Sequence, residues 1–315
     1  MSETGPAAPG LAHAAGFEPG GAAAACARYE AVRALLPAAR YPERPHARAH
    51  LGEAAEGYGG LLLDAYGVLN VGAAPVPGAP ERLRALRRAG TALLVLSNAA
   101  SYTPARALAK YRALGFDFAP EEVLTSREVA AARLEALAPG ARWAALSDEG
   151  DDYADLPAEI EDAALRPAAL EEADGVLFLS ATRYGPAMHA RLTDALIRRP
   201  RPIVVANPDI VSPREAGLAR EPGFFAHEIA ARTGAPVHWF GKPFGAAFAD
   251  AFARIGLPPA RLAMVGDTLH TDVLGGRAAG TGTILVTGHG LFAGIDPAPY
   301  VEASGIVPDV VIPTV

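Results

Sequence analysis

Four short stretches concentrate the residues able to do chemistry: DAYGVLN at 64–70, the pair Ser97 and Asn98, the tripeptide GKP at 241–243, and GDTLHTD at 266–272. Each delivers a carboxylate, hydroxyl or amine just after an apolar run or a turn. Asp64 closes the run LLLD, and Gly67 permits a tight turn that exposes the carboxylate as a nucleophile. Ser97 and Lys242 can hold the oxygens of a transferring group, while Asp64 and Asp267 can share a hard cation with water and a phosphate oxygen. Positioning and charge neutralisation dominate phosphoryl transfer, so the set suits that chemistry. Taken singly, each residue has an ordinary reading: Asp64 ends a strand, Ser97 and Asn98 belong to a loop, Lys242 is solvated, and Asp267 and Asp272 serve a turn and a helix cap. It is the ordered combination that points to a site.

The elements that must position these residues are legible as apolar runs rich in Val, Leu and Ile: 61–64, 91–98, 174–180, 201–209, 261–267 and 282–288. They lack strict polar alternation, and helix-like segments such as PARALAKYRAL, MHARLTDALIR and AAFADAFARI lie between them. That order predicts an α/β protein with a mostly parallel sheet, whose ligands gather at the carboxyl ends of the strands, where Asp64, Ser97 and Asp267 fall. The segment 141–237 carries strand and helix signals of its own, and the earlier pattern resumes after it, so it reads as an inserted α/β cap. The expected divisions are an N-terminal extension over 1–57, a core over 58–140 and 238–315, and the cap between. Residues 1 to about 22 are Gly, Pro and Ala with little to bury and are expected to form a loose tail; helical patterns follow at 26–36 and 50–56.

The chain has 315 residues, half of them apolar and 20% charged, an ordinary globular balance. Its net charge of −7 provides no basic field for a polyanion, which argues against nucleic acid as the main partner. A single cysteine, Cys26, excludes an internal disulfide and a cysteine-rich zinc site. The start MSETGPAAPG lacks the charged and apolar segments of a signal peptide, and no run is long enough to span a bilayer, so a soluble cytoplasmic protein without a membrane partner is expected. GHGLFA at 288–293 fits a dinucleotide-loop pattern but has no room for the unit that pattern needs, and HEIAA from His227 lacks the second histidine of a zinc protease. His270 reads as a loop residue or one behind the site.

In their order, Asp64, Ser97, Lys242 and the pair Asp267 and Asp272 resemble the four motifs of the haloacid dehalogenase superfamily over about residues 58–315. The long interval between the second and third motifs, with GKP, ANPD and GDTLHTDVLGG, is similar to the class IIA subgroup of nitrophenyl, pyridoxal, phosphoglycolate and sugar phosphatases. The resemblance implies a Rossmann-like parallel-sheet core with the α/β cap inserted between motifs two and three. It implies a Mg2+-dependent phosphatase acting on a small phosphorylated metabolite through an aspartyl-phosphate. Asp64 would be the nucleophile; Ser97, Asn98 and Lys242 would bind phosphate; Asp64, the Tyr66 carbonyl, Asp267 and Asp272 would serve the metal. Asn207 and Asp209 would lie in the substrate-specificity loop, and a homo-oligomer through the cap is a further expectation. One residue departs: most such phosphatases carry a general acid/base Asp where this chain has Tyr66. Two alternatives follow, a phosphate-binding protein with impaired turnover and a metal-independent 2-haloacid dehalogenase, whose first motif also has tyrosine there. The dehalogenase reading conflicts with the cap position and with Asp267.

Overall fold

The computed structural model describes residues 21–214 and 217–315. The loose tail expected over residues 1 to 22 therefore lies outside the described residues, except for its last two, which open a helix. Seven parallel strands form the larger sheet, in the order His46–Ala47, Val310–Ile312, Gly282–Val286, Leu262–Gly266, Gly60–Leu63, Ala92–Ser97, Val123–Thr125. Its central strands are covered on both faces, which is why their sequences are continuous apolar runs. Leu61 and Leu63 join one core cluster with Leu83 and Tyr111 of the helices Ala79–Arg88 and Pro104–Ala113. Leu62, one residue out of phase, joins another with Ala247 and Phe248 of the helix Gly245–Ile255.

Chain order sets the position of the site. From Gly60–Leu63 the chain builds the sheet outward through Ala92–Ser97 and Val123–Thr125, then returns to the other side at Leu262–Gly266. Strand order reverses between Gly60–Leu63 and Leu262–Gly266, and a crevice opens beyond the carboxyl ends at such a point. Asp64 and Asp267 are the residues immediately after those two strands.

A second sheet of five parallel strands occupies the inserted segment, in the order Val237–Trp239, Ile203–Val205, Gly175–Phe178, Arg142–Leu146, Glu159–Asp162. The expected boundary at 237 falls inside its strand Val237–Trp239. Trp143, Leu177, Val204 and Phe240 of this region share an apolar cluster with Leu62, Leu94 and Met264 of the larger sheet. Beside that contact the Arg127 side chain, 0% exposed, pairs with Asp151 at 2.6 Å and Asp155 at 2.7 Å and donates to the Ala100 carbonyl at 3.2 Å.

The helix Gly21–Ala31 lies across both units. Ala22 and Cys26, one turn apart, pack with Leu269, Leu274 and Phe292 of the core. Ala25 and Tyr29, on the neighbouring stripe, pack with cap residues including Ile210, Val211 and Phe224. Among the described residues, no helix is long and apolar enough to cross a membrane.

Candidate active site

Main-chain geometry delivers the acidic residues. The Asp64 amide donates to the Val265 carbonyl at 2.8 Å, extending the ladder one residue past the strand and fixing where its side chain leaves the sheet. Gly67 and Gly290 both adopt positive φ, +74° and +69°. A Cβ at either would overlap the Asp267 side chain, so each place requires glycine for conformation and for room. The loop around Gly290 also holds Asp267 directly, because the Leu291 amide donates to Asp267 Oδ2 at 2.7 Å. This anchoring explains the GHGLFA segment without a dinucleotide. The GDTLHTD stretch forms a single π-helical turn over Leu269–Val273, a geometry that often marks functional positions.

Lys242 is the cation among these acids. Its ammonium, 2% exposed, donates to Asp64 Oδ1 at 2.5 Å and to Asp272 Oδ1 at 2.8 Å. Burial pulls against that charge, but the Asp272 and Asp64 carboxylates more than compensate, and the ammonium titrates above its usual range. Asp272 is fixed from its other side by the Thr268 amide at 3.1 Å and the Thr268 hydroxyl at 2.5 Å. Burial raises the Asp64 carboxyl to about 6 against the pull of Lys242. Asp267 is also held well above its usual range, by burial and then by the charges of Asp64 and Asp272.

Asp64, Asp267 and Asp272 each offer an oxygen, and the three lie within 4.8 Å of one another. Three carboxylates facing one ammonium leave uncompensated negative charge in a buried place. That hard-oxygen donor set fits a hard divalent cation, whose charge would relieve the crowding that raises Asp267.

Asn98 ties this cluster to the cap. Its Oδ1 accepts from the Lys242 amide at 2.7 Å, and its Nδ2 donates to the Lys242 carbonyl at 2.9 Å and to Asp209 Oδ1 at 2.8 Å. The Asn98 side chain thus holds the GKP turn and the cap loop together. Ser97 ends its strand with Oγ accepting from the Ala99 amide at 3.2 Å. Tyr66 lies in the tight turn after Asp64, where the Gly67 amide donates to the Asn70 carbonyl at 2.9 Å.

These residues line a cavity of about 930 Å3 whose opposite wall is the cap. On that wall Asn207 Nδ2 donates to Glu221 Oε2 at 3.1 Å, the Ser212 hydroxyl bonds Glu221 Oε1, and Ser180 also faces the space. Burial pushes the Asp209 carboxyl up to about 8, although Asn98 and Lys242 favour its charged form. The structure therefore brings together Asp64, Tyr66, Ser97, Asn98, Asn207, Asp209 and Asp267 on one cavity, with Lys242 and Asp272 directly behind. His270 does not line it and is 2% exposed, stacked on Tyr29 and bonded to Glu30 at 2.6 Å.

Sequence reasoning missed Tyr29, Glu221 and Arg127. Glu221 lies twelve positions beyond Asp209, and a β-hairpin, Val211–Arg214 with Gly217–Arg220, folds it back beside Asn207. Tyr29 sits in an alanine-rich helix whose sequence announces only helix, and Arg127 carries no motif.

Comparison with known proteins gives a consistent result. Residues 61–155 match the family model described as haloacid dehalogenase-like hydrolase, and residues 239–313 match a second, HAD-hydrolase-like model. An acid sugar phosphatase of Staphylococcus aureus is 28% identical over 229 residues, 73% of this chain and 86% of that protein. A structure titled possible sugar phosphatase, from Cytophaga hutchinsonii, superposes with a TM-score of 0.76 at 23% identity, covering 86% of this chain and 98% of that one. A glycerol phosphate phosphatase of Mycobacterium tuberculosis, in complex with calcium, gives a TM-score of 0.61 at 29% identity, covering 75% and 68%.

Proposed function

The chain belongs to the haloacid dehalogenase-like hydrolases, and from that membership we propose that it is a divalent-metal-dependent phosphatase of a small phosphorylated metabolite. The observation that carries this reading is the contact of Lys242 with both Asp64 and Asp272 beside Asp267, at the point where strand order reverses. The similarity to an acid sugar phosphatase and a glycerol phosphate phosphatase supports it.

Asp64 attacks phosphorus in line, the bond to the leaving oxygen breaks, and the phosphoryl group rests on the carboxylate as an aspartyl-phosphate. Ser97 and Lys242 hold the equatorial oxygens. Asn98 acts one step back, keeping the Lys242 backbone in place. Asp64, the Tyr66 carbonyl and Asp267 would hold Mg2+, with Asp272 orienting Lys242 and reaching the ion's surroundings. When bound, the ion would neutralise charge on the transferring group. Water then cleaves the acyl phosphate, releasing inorganic phosphate and restoring the Asp64 carboxylate.

The leaving oxygen needs a proton, and a phenol of pKa about 10 at position 66 is a poor source of one near neutrality. Asp209 is the carboxylic acid on the facing wall of the same cavity, and burial, which raises it to about 8, favours its protonated form near neutrality. We assign it the donor role. Asparagine, serine and carboxylate groups around it also suit a leaving group bearing hydroxyls, as in a sugar or polyol phosphate.

The test is phosphate release. Asp209→Asn should slow hydrolysis of an alkyl phosphate by about 10²-fold and that of acetyl phosphate far less, since an acyl leaving group needs little protonation. Adding Tyr66→Asp to that variant should recover part of the loss. Equal losses on both substrates would remove Asp209 from the proton path.

A further inference from the structure

The helix Gly21–Ala31 lies outside both family-matched ranges, yet one of its side chains reaches the cavity. Tyr29 is 3% exposed and lines the cavity beside Asp209 and Thr268. Its hydroxyl accepts from the Ile210 amide at 3.1 Å, next in sequence to Asp209. Its ring stacks on His270 with centroids 4.9 Å apart and planes within 8°. His270 is held in turn by Glu30 Oε1 at 2.6 Å, so two adjacent residues of one helix grip the turn that carries Asp272 and follows Asp267.

The cap loop 207–210 is thereby fastened to the core on both sides of the cavity. Asn98 bonds Asp209 from the side of the second motif, and Tyr29 bonds Ile210 from the side of the fourth. Between them the circuit closes through Asp272, Lys242 and the Lys242 backbone on Asn98. The Tyr29 hydroxyl hydrogen has no acceptor among the described residues, which leaves it able to donate to an oxygen of a bound molecule.

We infer that the N-terminal helix is a working part of the active site: Tyr29 is a positioning residue that holds the cap loop over the acidic cluster and so helps select the leaving group. The inference rests on the phosphatase reading for its substrate effect, but not for the strap itself. A substrate that reaches the cap depends on the loop being in place; a compact acyl phosphate depends on it less.

Tyr29→Phe in the full chain tests this, because it keeps the ring stack and deletes only the hydroxyl. Hydrogen exchange at the Ile210 amide should quicken about 5- to 10-fold in the variant, the effect of one lost hydrogen bond. With a hexose phosphate and acetyl phosphate as substrates, the ratio of their kcat/KM values should fall about 3- to 10-fold, mainly through KM for the hexose phosphate. Unchanged exchange at Ile210 would overturn the strap. Faster exchange with both substrates altered in parallel would overturn the selection role, since a general structural defect behaves that way. Faster exchange in a protein that releases no phosphate from any ester would support the strap and overturn the phosphatase reading alone.

Discussion

Lys242 places its charge between Asp64 and Asp272 with almost no access to water, so its removal would leave three carboxylates facing one another. Lys242→Met should destabilise the metal-free protein by about 3–5 kcal/mol at pH 8, the usual consequence of breaking a buried pair. The deficit should shrink at pH 5, where raised carboxyls such as Asp64, near 6, take up protons; denaturant titrations at the two values measure it. Asp209 gives the complementary case. Its folded value of about 8 stands well above an ordinary carboxyl of about 3.9, with Lys242, Asp64 and Glu221 as the charges facing it. Between those values the folded chain holds a proton that the unfolded chain has released, so this group costs stability as pH rises, by at most about 1.4 kcal/mol per unit. Asp209→Asn should therefore gain stability relative to the parent between pH 5 and 8, and a gap that stays constant would refute the assignment. Such residues differ in how plainly the sequence shows them. Asp64, Ser97 and Asp267 follow apolar runs at once, so strand ends expose them to reading. The bracing role of the Asn98 side chain is not legible in the sequence, because its three hydrogen bonds join it to residues more than a hundred positions away.

At the scale of elements, Arg127 bridges the helix Ser126–Ala131 and the segment just after the first cap strand. Its guanidinium also holds the Ala100 carbonyl, three residues after Ser97, so the same side chain braces both the cap junction and the loop of the second motif. Arg127→Met should cost about 3–5 kcal/mol by stranding Asp151, and proteolysis should then begin near 147–155. Unaltered stability would show that the apolar contact of Trp143 and Phe240 suffices. The strands that sequence reading found are the long apolar ones. His46–Ala47, Val123–Thr125 and Val310–Ile312 are too short to show a period, and the edge strand Glu159–Asp162 is largely polar, as suits a sheet edge. Pairing with a neighbour creates these strands, and pairing is not written locally.

For the whole molecule, the parallel core follows directly from apolar runs alternating with helices, and the motif order places the cap. The arrangement of cap on core was not legible: it depends on an apolar cluster drawn from both units, on Arg127, and on a helix that precedes every motif. The helix reaches the cavity through Tyr29, and the apolar cluster reaches it through Ala100 and Leu179. Chelation by EDTA should abolish turnover and added Mg2+ should restore it, with the fold retained throughout. The most direct test of the phosphatase reading is phosphate release from acetyl phosphate and a hexose phosphate by the parent chain and by Asp64→Asn, each with Mg2+. The parent should release phosphate from both and the variant should lose at least about 10³-fold, because the asparagine amide cannot replace the Asp64 carboxylate as nucleophile. Equal release by the two proteins would contradict that reading.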